Sequence, residues 1–329
     1  MFFITFLRAL AACLITNSHY TGVYPSDIIA NGGLIGDIIF FAVSGYCLYN
    51  VRHSFPRWYG KRIVRCYLPV FLITAVYIAL GAYSLSSGSV FGYFVYPTNY
   101  HFVASIIVLY IPFFFVMKID VLKKHILWVM GAVFAAFVIV YFVFYDRSYY
   151  HIDAVQEPMI RFLFFESMLL GAFFRQNDKR YRNDFKWWVP VAFVISCGVY
   201  FASKILFSRR SALSGLQILN QLVIFSLLYF AFRLFASLDS ALERMPSYAK
   251  KIVTYVSEIT LEIYVVQFVI IEAIRPHLTF PLNWFAITAS ILAAATLLHY
   301  AVRGILALYS MTEKKVRLAY VNRKSRTDK

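Results

Sequence analysis

The sequence predicts an all-α protein that crosses a membrane about ten times, and two observations support this prediction. Hydrophobic residues make up 61% of the 329 residues and charged residues only 15%, whereas soluble proteins average about 45–50% and about 25%. The apolar residues also fall into segments of about twenty residues, the length of a helix that spans a bilayer. The predicted spans are residues 2–19, 33–50, 66–85, 102–117, 126–145, 158–174, 188–207, 215–235, 253–274 and 285–303.

These spans leave no room for a large soluble domain. We expect one transmembrane domain over residues 1–312, followed by a basic cytoplasmic tail over residues 313–329. The four cysteines fall in or beside apolar spans without the spacing of a metal site, so we expect no metal cofactor.

The basic residues predict the orientation of the chain. With ten spans and a cytoplasmic amino terminus, 25 of the 32 Lys and Arg residues lie on the cytoplasmic side, which is the positive-inside pattern. The sequence therefore predicts a multi-pass protein of the cell (inner, cytoplasmic) membrane with both termini in the cytoplasm. The net charge of +16 then reports orientation and contact with anionic membrane lipids, and we expect no nucleic-acid partner.

The first predicted helix carries Arg8 and His19, eleven residues apart. Eleven residues are about three helical turns, so both side chains lie on one face, roughly 16 Å apart along the axis. A cation within a membrane helix costs at least about 2.5–3.5 kcal/mol and normally faces a polar cavity. The alternative is that Arg8 extends to the headgroups and that His19 is an interfacial loop residue.

The second span contains the small residues Gly36, Ser44 and Gly45, which allow a neighbouring helix to approach closely. Asp37, near its outer end, is a candidate counter-charge. Ordinary helix packing explains the small residues equally well.

A basic, aromatic stretch at residues 51–65 precedes the third span. Its Arg62 and Arg65 are three residues apart and share one face if the stretch is helical. Such a pair is typical of phosphate binding, and it is also typical of a positive-inside anchor. Farther on, residues 86–101 are rich in Ser, Gly and Tyr, a surface that suits a sugar, although Tyr is also a common interface anchor.

Later spans carry further charged residues. Arg161 and Glu166 lie in the sixth span, and Glu258 and Glu262, four residues apart in the ninth, are expected on one helix face. Two carboxylates in one span are costly unless they are paired. Both a structural role in ion pairs and a direct catalytic role remain open. The cations available within the spans are Arg8, Arg161 and Lys204.

Taken together, these segments resemble the acyltransferase 3 family of integral-membrane acyltransferases. The matching features follow the family's order along nearly the whole chain: Arg8 followed by ten residues and His19, FFAVSG at Phe40–Gly45, Arg62-x-x-Arg65 with Tyr67-x-Pro69, RFLFFESMLLG at Arg161–Gly171, and EITLEIYVVQ at Glu258–Gln267. In two places the chain departs from the family pattern. The acidic residue often found before the first arginine is missing, and Gln267 replaces a histidine often seen late in the last motif.

The resemblance implies a cytoplasmic acyl-CoA donor, usually acetyl-CoA, and a polysaccharide or lipid-linked glycan acceptor on the outer side. The expected reaction is O-acyl transfer in cell-envelope polysaccharide modification. His19 would serve as general base or transient acyl carrier, since its pKa suits proton transfer near neutral pH. Arg8 would steer the donor or stabilise the oxyanion. Donor-binding residues would be Arg62, Arg65, Ser44 and Tyr67, supported by Asp37, Arg161, Glu166, Glu258 and Glu262.

A polytopic transporter or flippase for a polysaccharide-pathway substrate is the chief alternative, because it also places charges inside a helix bundle. We find neither inverted repeats nor paired Gly/Pro-broken helices in the sequence. A sensor or structural membrane protein would explain ion pairs, but it gives no reason for Arg8, His19 and the basic stretch together.

Overall fold

The structure, a computed structural model, contains only helices and connecting segments in the part of the chain that it describes. It describes residues 1–86, 89–156 and 158–327, with side chains as far as Tyr309, so residues 328–329 of the predicted tail lie outside it. The described α-helices are α1 Phe2–Ser18, α2 Gly33–Leu48, α3 Phe55–Ala79, α4 His101–Lys118, α5 Asp120–Lys124, α6 Ile126–Phe144, α7 Ile160–Gln176, α8 Asp178–Tyr181, α9 Trp188–Arg209, α10 Ile218–Ser237, α11 Asp239–Glu243, α12 Ser247–Glu258, α13 Thr260–Ile274 and α14 Leu282–Thr327.

Six described helices are long and apolar enough to cross a membrane, namely α3, α4, α6, α9, α10 and the first part of α14. Helices α1 and α2 are apolar but shorter. Apolar side chains such as Val194 and Ile195 on α9 are exposed, as expected of a surface that faces lipid. The predicted class, an all-helical multi-pass membrane protein, is thus confirmed. The number of ten spans stays a prediction.

Helix α2 lies at the centre of the bundle, between α1 and α7. A Cβ atom added to Gly45 would lie 1.9 Å from the Met168 carbonyl oxygen of α7, and one added to Gly171 would lie 1.8 Å from the Ala42 oxygen of α2. On the α1 side, a Cβ on Gly36 would come within 2.8 Å of the Ala11 oxygen. The small residues therefore allow the backbones to touch, as the sequence predicts.

The third helix begins earlier than predicted. Helix α3 starts at Phe55 instead of residue 66, with Pro56 in its first turn, where a missing N–H costs nothing. The basic stretch is therefore the first three turns of a long helix, and Arg62 and Arg65 belong to one continuous helix face.

The ninth predicted span is interrupted. Helix α12 ends at Glu258 and α13 starts at Thr260, so the expectation that Glu258 and Glu262 share one helix face is wrong. The Thr260 hydroxyl contacts the Val256 and Ser257 carbonyl oxygens at 3.1 and 2.9 Å. A hydroxyl that binds backbone carbonyls in this way competes with the helix ladder, and here it stabilises the break.

Candidate active site

Two cavities lie toward opposite ends of α1 and α2. The first, which we call the basic cavity, has a volume of about 270 Å³ and is bordered by Arg8, Lys61, Arg62 and Arg65. The second, the histidine cavity, has a volume of about 860 Å³ and is bordered by His19. The predicted catalytic residues Arg8 and His19 share a helix face, but they serve different cavities.

The basic cavity concentrates positive charge. Arg62 stacks over the Trp58 ring, 3.8 Å from its centroid, and its Nη1 donates a hydrogen bond to the Trp58 carbonyl oxygen at 2.6 Å. This contact holds one guanidinium in place while Arg65 follows on the same face of α3. Glu258 is the one carboxylate among the residues that border this cavity. Four cations facing one carboxylate make an environment that attracts phosphate groups.

Arg8 enters the basic cavity from α1 without an ionic partner. Its Nη2 donates to Cys47 Sγ at 3.6 Å, and no salt bridge joins it to another described residue. Ser44 of α2 borders the same cavity, as the donor-site prediction requires. Tyr67 does not border it, because its hydroxyl is turned to donate a hydrogen bond to the Val95 carbonyl oxygen at 2.7 Å.

His19 directly follows the last residue of α1, and its backbone N–H still bonds to the Thr16 carbonyl oxygen. The next residue, Tyr20, is buried, and its hydroxyl lies 2.9 Å from Thr288 Oγ1 of α14. This bond fixes the chain where the imidazole meets the cavity. The imidazole is exposed to the cavity. In its neutral form an imidazole accepts a proton.

The histidine cavity combines aromatic rings with polar side chains. Tyr83, Asn99 and Tyr100 lie in or beside the Ser-, Gly- and Tyr-rich segment, and they border this cavity. Asp37 of α2 also borders it, is only 7% exposed, and makes no hydrogen bond or ion pair with another described residue. Its carboxyl group is therefore available for a hydrogen bond with a ligand hydroxyl group.

A network around Asp153 was not found from the sequence. The carboxylate accepts hydrogen bonds from Tyr150, from Asn220 Nδ2 at 3.0 Å and from Gln221 Nε2 at 2.8 Å, and Lys204 Nζ lies 3.8 Å away. Asp153 and Lys204 both border the histidine cavity. The network connects the loop before α7 to α9 and α10. In the sequence, only the presence of Lys204 within a predicted span indicated that a buried acidic partner was needed there.

A small space, which we call the neck, lies between the two cavities. Its volume is about 10 Å³, room for no more than about one water molecule. It shares Phe40, Thr260 and Leu261 with the basic cavity and Ile15 and Gln267 with the histidine cavity, and Phe102 borders all three spaces. The two cavities and the neck therefore lie in line along α1, and we call this line of spaces the path.

Three of the predicted supporting residues lie outside this path. Arg161 donates from Nη2 to the Tyr96 hydroxyl at 2.6 Å, and Glu262 pairs with His299 Nδ1 at 3.0 Å. Glu166 is buried, and its Oε1 has no hydrogen-bond partner. The cations Arg8, Arg161 and Lys204 thus do not pair with Glu258 or Glu262, and these contacts favour structural roles for Arg161 and Glu262.

A sequence profile described as an acyltransferase domain matches residues 1–303, which is nearly all of the chain. No curated protein and no solved structure matches the chain at a significant level. The match covers both cavities, the neck and every predicted site residue. The chain therefore belongs to the acyltransferase 3 family.

Proposed function

We propose that the protein is a membrane O-acyltransferase that moves a short acyl group, acetyl in the simplest case, from acyl-CoA to a hydroxyl group of a glycan. The observation that carries this proposal is the arrangement along α1 of a cavity rich in cations, the neck and a cavity bordered by a histidine. Family membership supplies the reaction class. The donor, the acceptor and the role of the histidine belong to this proposal.

The basic cavity suits the nucleotide end of coenzyme A. That end carries several phosphate groups, and Arg62, Arg65, Lys61 and Arg8 supply charge-assisted donors at one site. The Trp58 contact restrains Arg62 before any ligand arrives, so less conformational entropy is lost on binding. The pantetheine arm would then extend from this cavity into the neck.

The histidine cavity suits the acceptor. Its volume is in the range of small-molecule sites, and its tyrosine rings offer flat faces against which a sugar ring packs. The Asp37 carboxylate, unpartnered among the described residues, accepts a hydrogen bond from a sugar hydroxyl group. A polysaccharide end or a lipid-linked glycan would present such hydroxyl groups to His19.

The chemistry then follows from the two ends of the path. The acceptor oxygen forms a bond with the acyl carbon, the carbon–sulfur bond breaks, and the hydroxyl proton moves to His19 and on to the departing thiolate of coenzyme A. In the covalent version His19 attacks first, releases the thiolate and passes the acyl group to the acceptor. In both versions the neutral imidazole is the active form.

The test uses membranes that contain the protein and acetyl-CoA labelled in the acetyl group. We expect label in the glycan fraction, and we expect none in membranes from cells that lack the gene. Stable labelling of the protein in the absence of acceptor would favour the covalent version. No labelled glycan at full protein level would overturn the proposal.

A transporter or flippase remains the second candidate, because two chambers separated by a constriction also fit alternating access. The two functions differ in their dependence on the donor. An acyltransferase leaves an ester on the acceptor and consumes acyl-CoA, whereas a flippase changes only the side on which the glycan is found. Acyl analysis of the glycan from cells with and without the gene separates them.

A further inference from the structure

The neck has a composition unlike that of either cavity. Its walls are almost entirely apolar and come from α1, α2, α4 and α13. Ala12 and Ile15 form the α1 side, and both are buried. Phe40 and Phe102 stand opposite with their rings in edge-to-face contact, 4.7 Å between centroids.

The threonine hydroxyl groups of the neck are already engaged. Thr16 donates from Oγ1 to Gln267 Oε1 at 2.7 Å, and the Thr260 hydroxyl contacts the carbonyl oxygens at the end of α12. None of the described residues that border the neck carries a charge. A charged group that entered it would lose water without gaining an ionic partner, which is strongly unfavourable.

The apolar lining of the neck affects the reaction because of the position of the acyl group on the donor. In the proposed function, on which this inference rests, the phosphates bind in the basic cavity and the acyl group is at the far end of the pantetheine arm. The acyl group must therefore reach or pass the neck to meet His19. An unbranched chain is no wider than its first methylene group, whereas a branch next to the carbonyl widens the part that has to pass.

We propose that the neck determines the acyl class, with Ala12 and Ile15 as specificity-determining residues. It admits neutral, unbranched acyl groups, and it excludes acyl groups that carry a carboxylate or are branched next to the carbonyl. The discrimination occurs at transfer and not at donor binding, since the phosphates anchor every donor in the same way.

The first experiment compares acetyl-, propionyl-, n-butyryl-, isobutyryl- and succinyl-CoA in the transfer assay with wild-type protein. We expect transfer of the isobutyryl group about tenfold slower than of the n-butyryl group, since pocket discrimination of one methyl group has that size. We expect succinyl transfer at least about a hundredfold slower than n-butyryl transfer, because a carboxylate is costly to desolvate. Competition against coenzyme A should give similar affinities for all five donors.

The second experiment changes the width of the neck. Ile15→Ala should raise the ratio of isobutyryl to n-butyryl transfer, and Ala12→Val should lower the ratio of propionyl to acetyl transfer. Ile139→Ala on the exposed face of α6 is the matched control, because Ile139 is 61% exposed and distant from the path in sequence. If Ile15→Ala does not fold, Ala12→Val and the wild-type series still decide the question.

Each outcome has a separate meaning. Succinyl or isobutyryl transfer within a few-fold of n-butyryl transfer would overturn the neck as the selector, as would unchanged ratios in both variants. The absence of transfer from every donor would instead overturn the proposed function. Donor affinities that fall in parallel with transfer would place the discrimination in the basic cavity and contradict the inference.

Discussion

Thr16 of α1 and Gln267 of α13 meet across the neck, where Thr16 Oγ1 lies 2.7 Å from Gln267 Oε1. Gln267 is 1% exposed, so its amide oxygen has little access to water. This hydrogen bond joins the helix that carries Arg8 to the helix that follows the break at Ile259. It also lies between the basic cavity and the histidine cavity.

The first prediction concerns this hydrogen bond. Thr16→Val keeps the shape of the side chain but removes the donor, and a buried oxygen left without a partner costs about 1–3 kcal/mol of the free energy of unfolding. Thermal unfolding in detergent measures this loss. In the double variant Thr16→Val/Gln267→Leu both partners are apolar, so the combined loss should be smaller than the sum of the two single losses. Additive losses would contradict an energetic coupling between the two residues.

The second prediction concerns the donor site. Changing Arg62 and Arg65 to Ala should weaken acyl-CoA binding tenfold or more, because one charge-assisted hydrogen bond contributes about 1.5–3 kcal/mol. Titration of the purified protein with acetyl-CoA measures the affinity. The matched control is Arg52→Ala/Arg57→Ala, which removes two exposed cations from the same basic stretch that do not border the cavity. Equal acetyl-CoA affinity in the two double variants would mean that Arg62 and Arg65 act only as a positive-inside membrane anchor.

Some of the path could be predicted from the sequence because it depends on spacing within one helix. The eleven-residue separation places Arg8 and His19 on the side of α1, and of its carboxyl end, that also carries Ala12 and Thr16. The spacing of Arg62 and Arg65 likewise survives in α3, and the small residues of α2 mark real close contacts. In these cases local periodicity decides which residues lie together.

The remainder depends on contacts between distant parts of the chain. The Asp153 network joins a loop to two later helices. Glu262 pairs with His299, which lies 37 residues later in the chain, and not with the cations of the predicted spans. At the break between α12 and α13, the Thr260 hydroxyl binds carbonyl oxygens of the preceding helical turn. The neck exists only where four helices converge, and no single segment encodes it.

The third prediction concerns the packing of α2 against α7. Gly45→Ala would drive a methyl group to within 1.9 Å of the Met168 carbonyl oxygen, so the helices must separate at a cost of about 1–3 kcal/mol or more. Gly131→Ala on α6 is the control, since no atom lies within 4 Å of its added Cβ, and alanine favours a helix over glycine. We expect a lower unfolding temperature for Gly45→Ala alone. Equal unfolding temperatures for the two variants would contradict the close contact.

The fourth prediction concerns topology. With ten spans and both termini in the cytoplasm, the loop at residues 146–157 lies outside the cell. Asp153 of this loop borders the same cavity as His19, so the acceptor side and the loop should face the same compartment. Reporter fusions after residue 148 and at the carboxyl terminus should give opposite signals. A cytoplasmic signal from the loop would refute the assigned orientation.

The last prediction concerns His19. His19→Ala should leave the protein inserted, since its imidazole faces a cavity and makes no side-chain hydrogen bond with a described residue. Acyl transfer should nevertheless fall by about 10²–10⁴, the loss expected when a general acid–base group is removed. His19→Gln should be nearly as inactive, because an amide cannot accept the proton. His277→Gln, in an exposed turn, is the matched control and should keep full activity. Near-normal turnover in either His19 variant would mean that the base lies elsewhere, and Glu258 or Glu262 would be the next residue to replace.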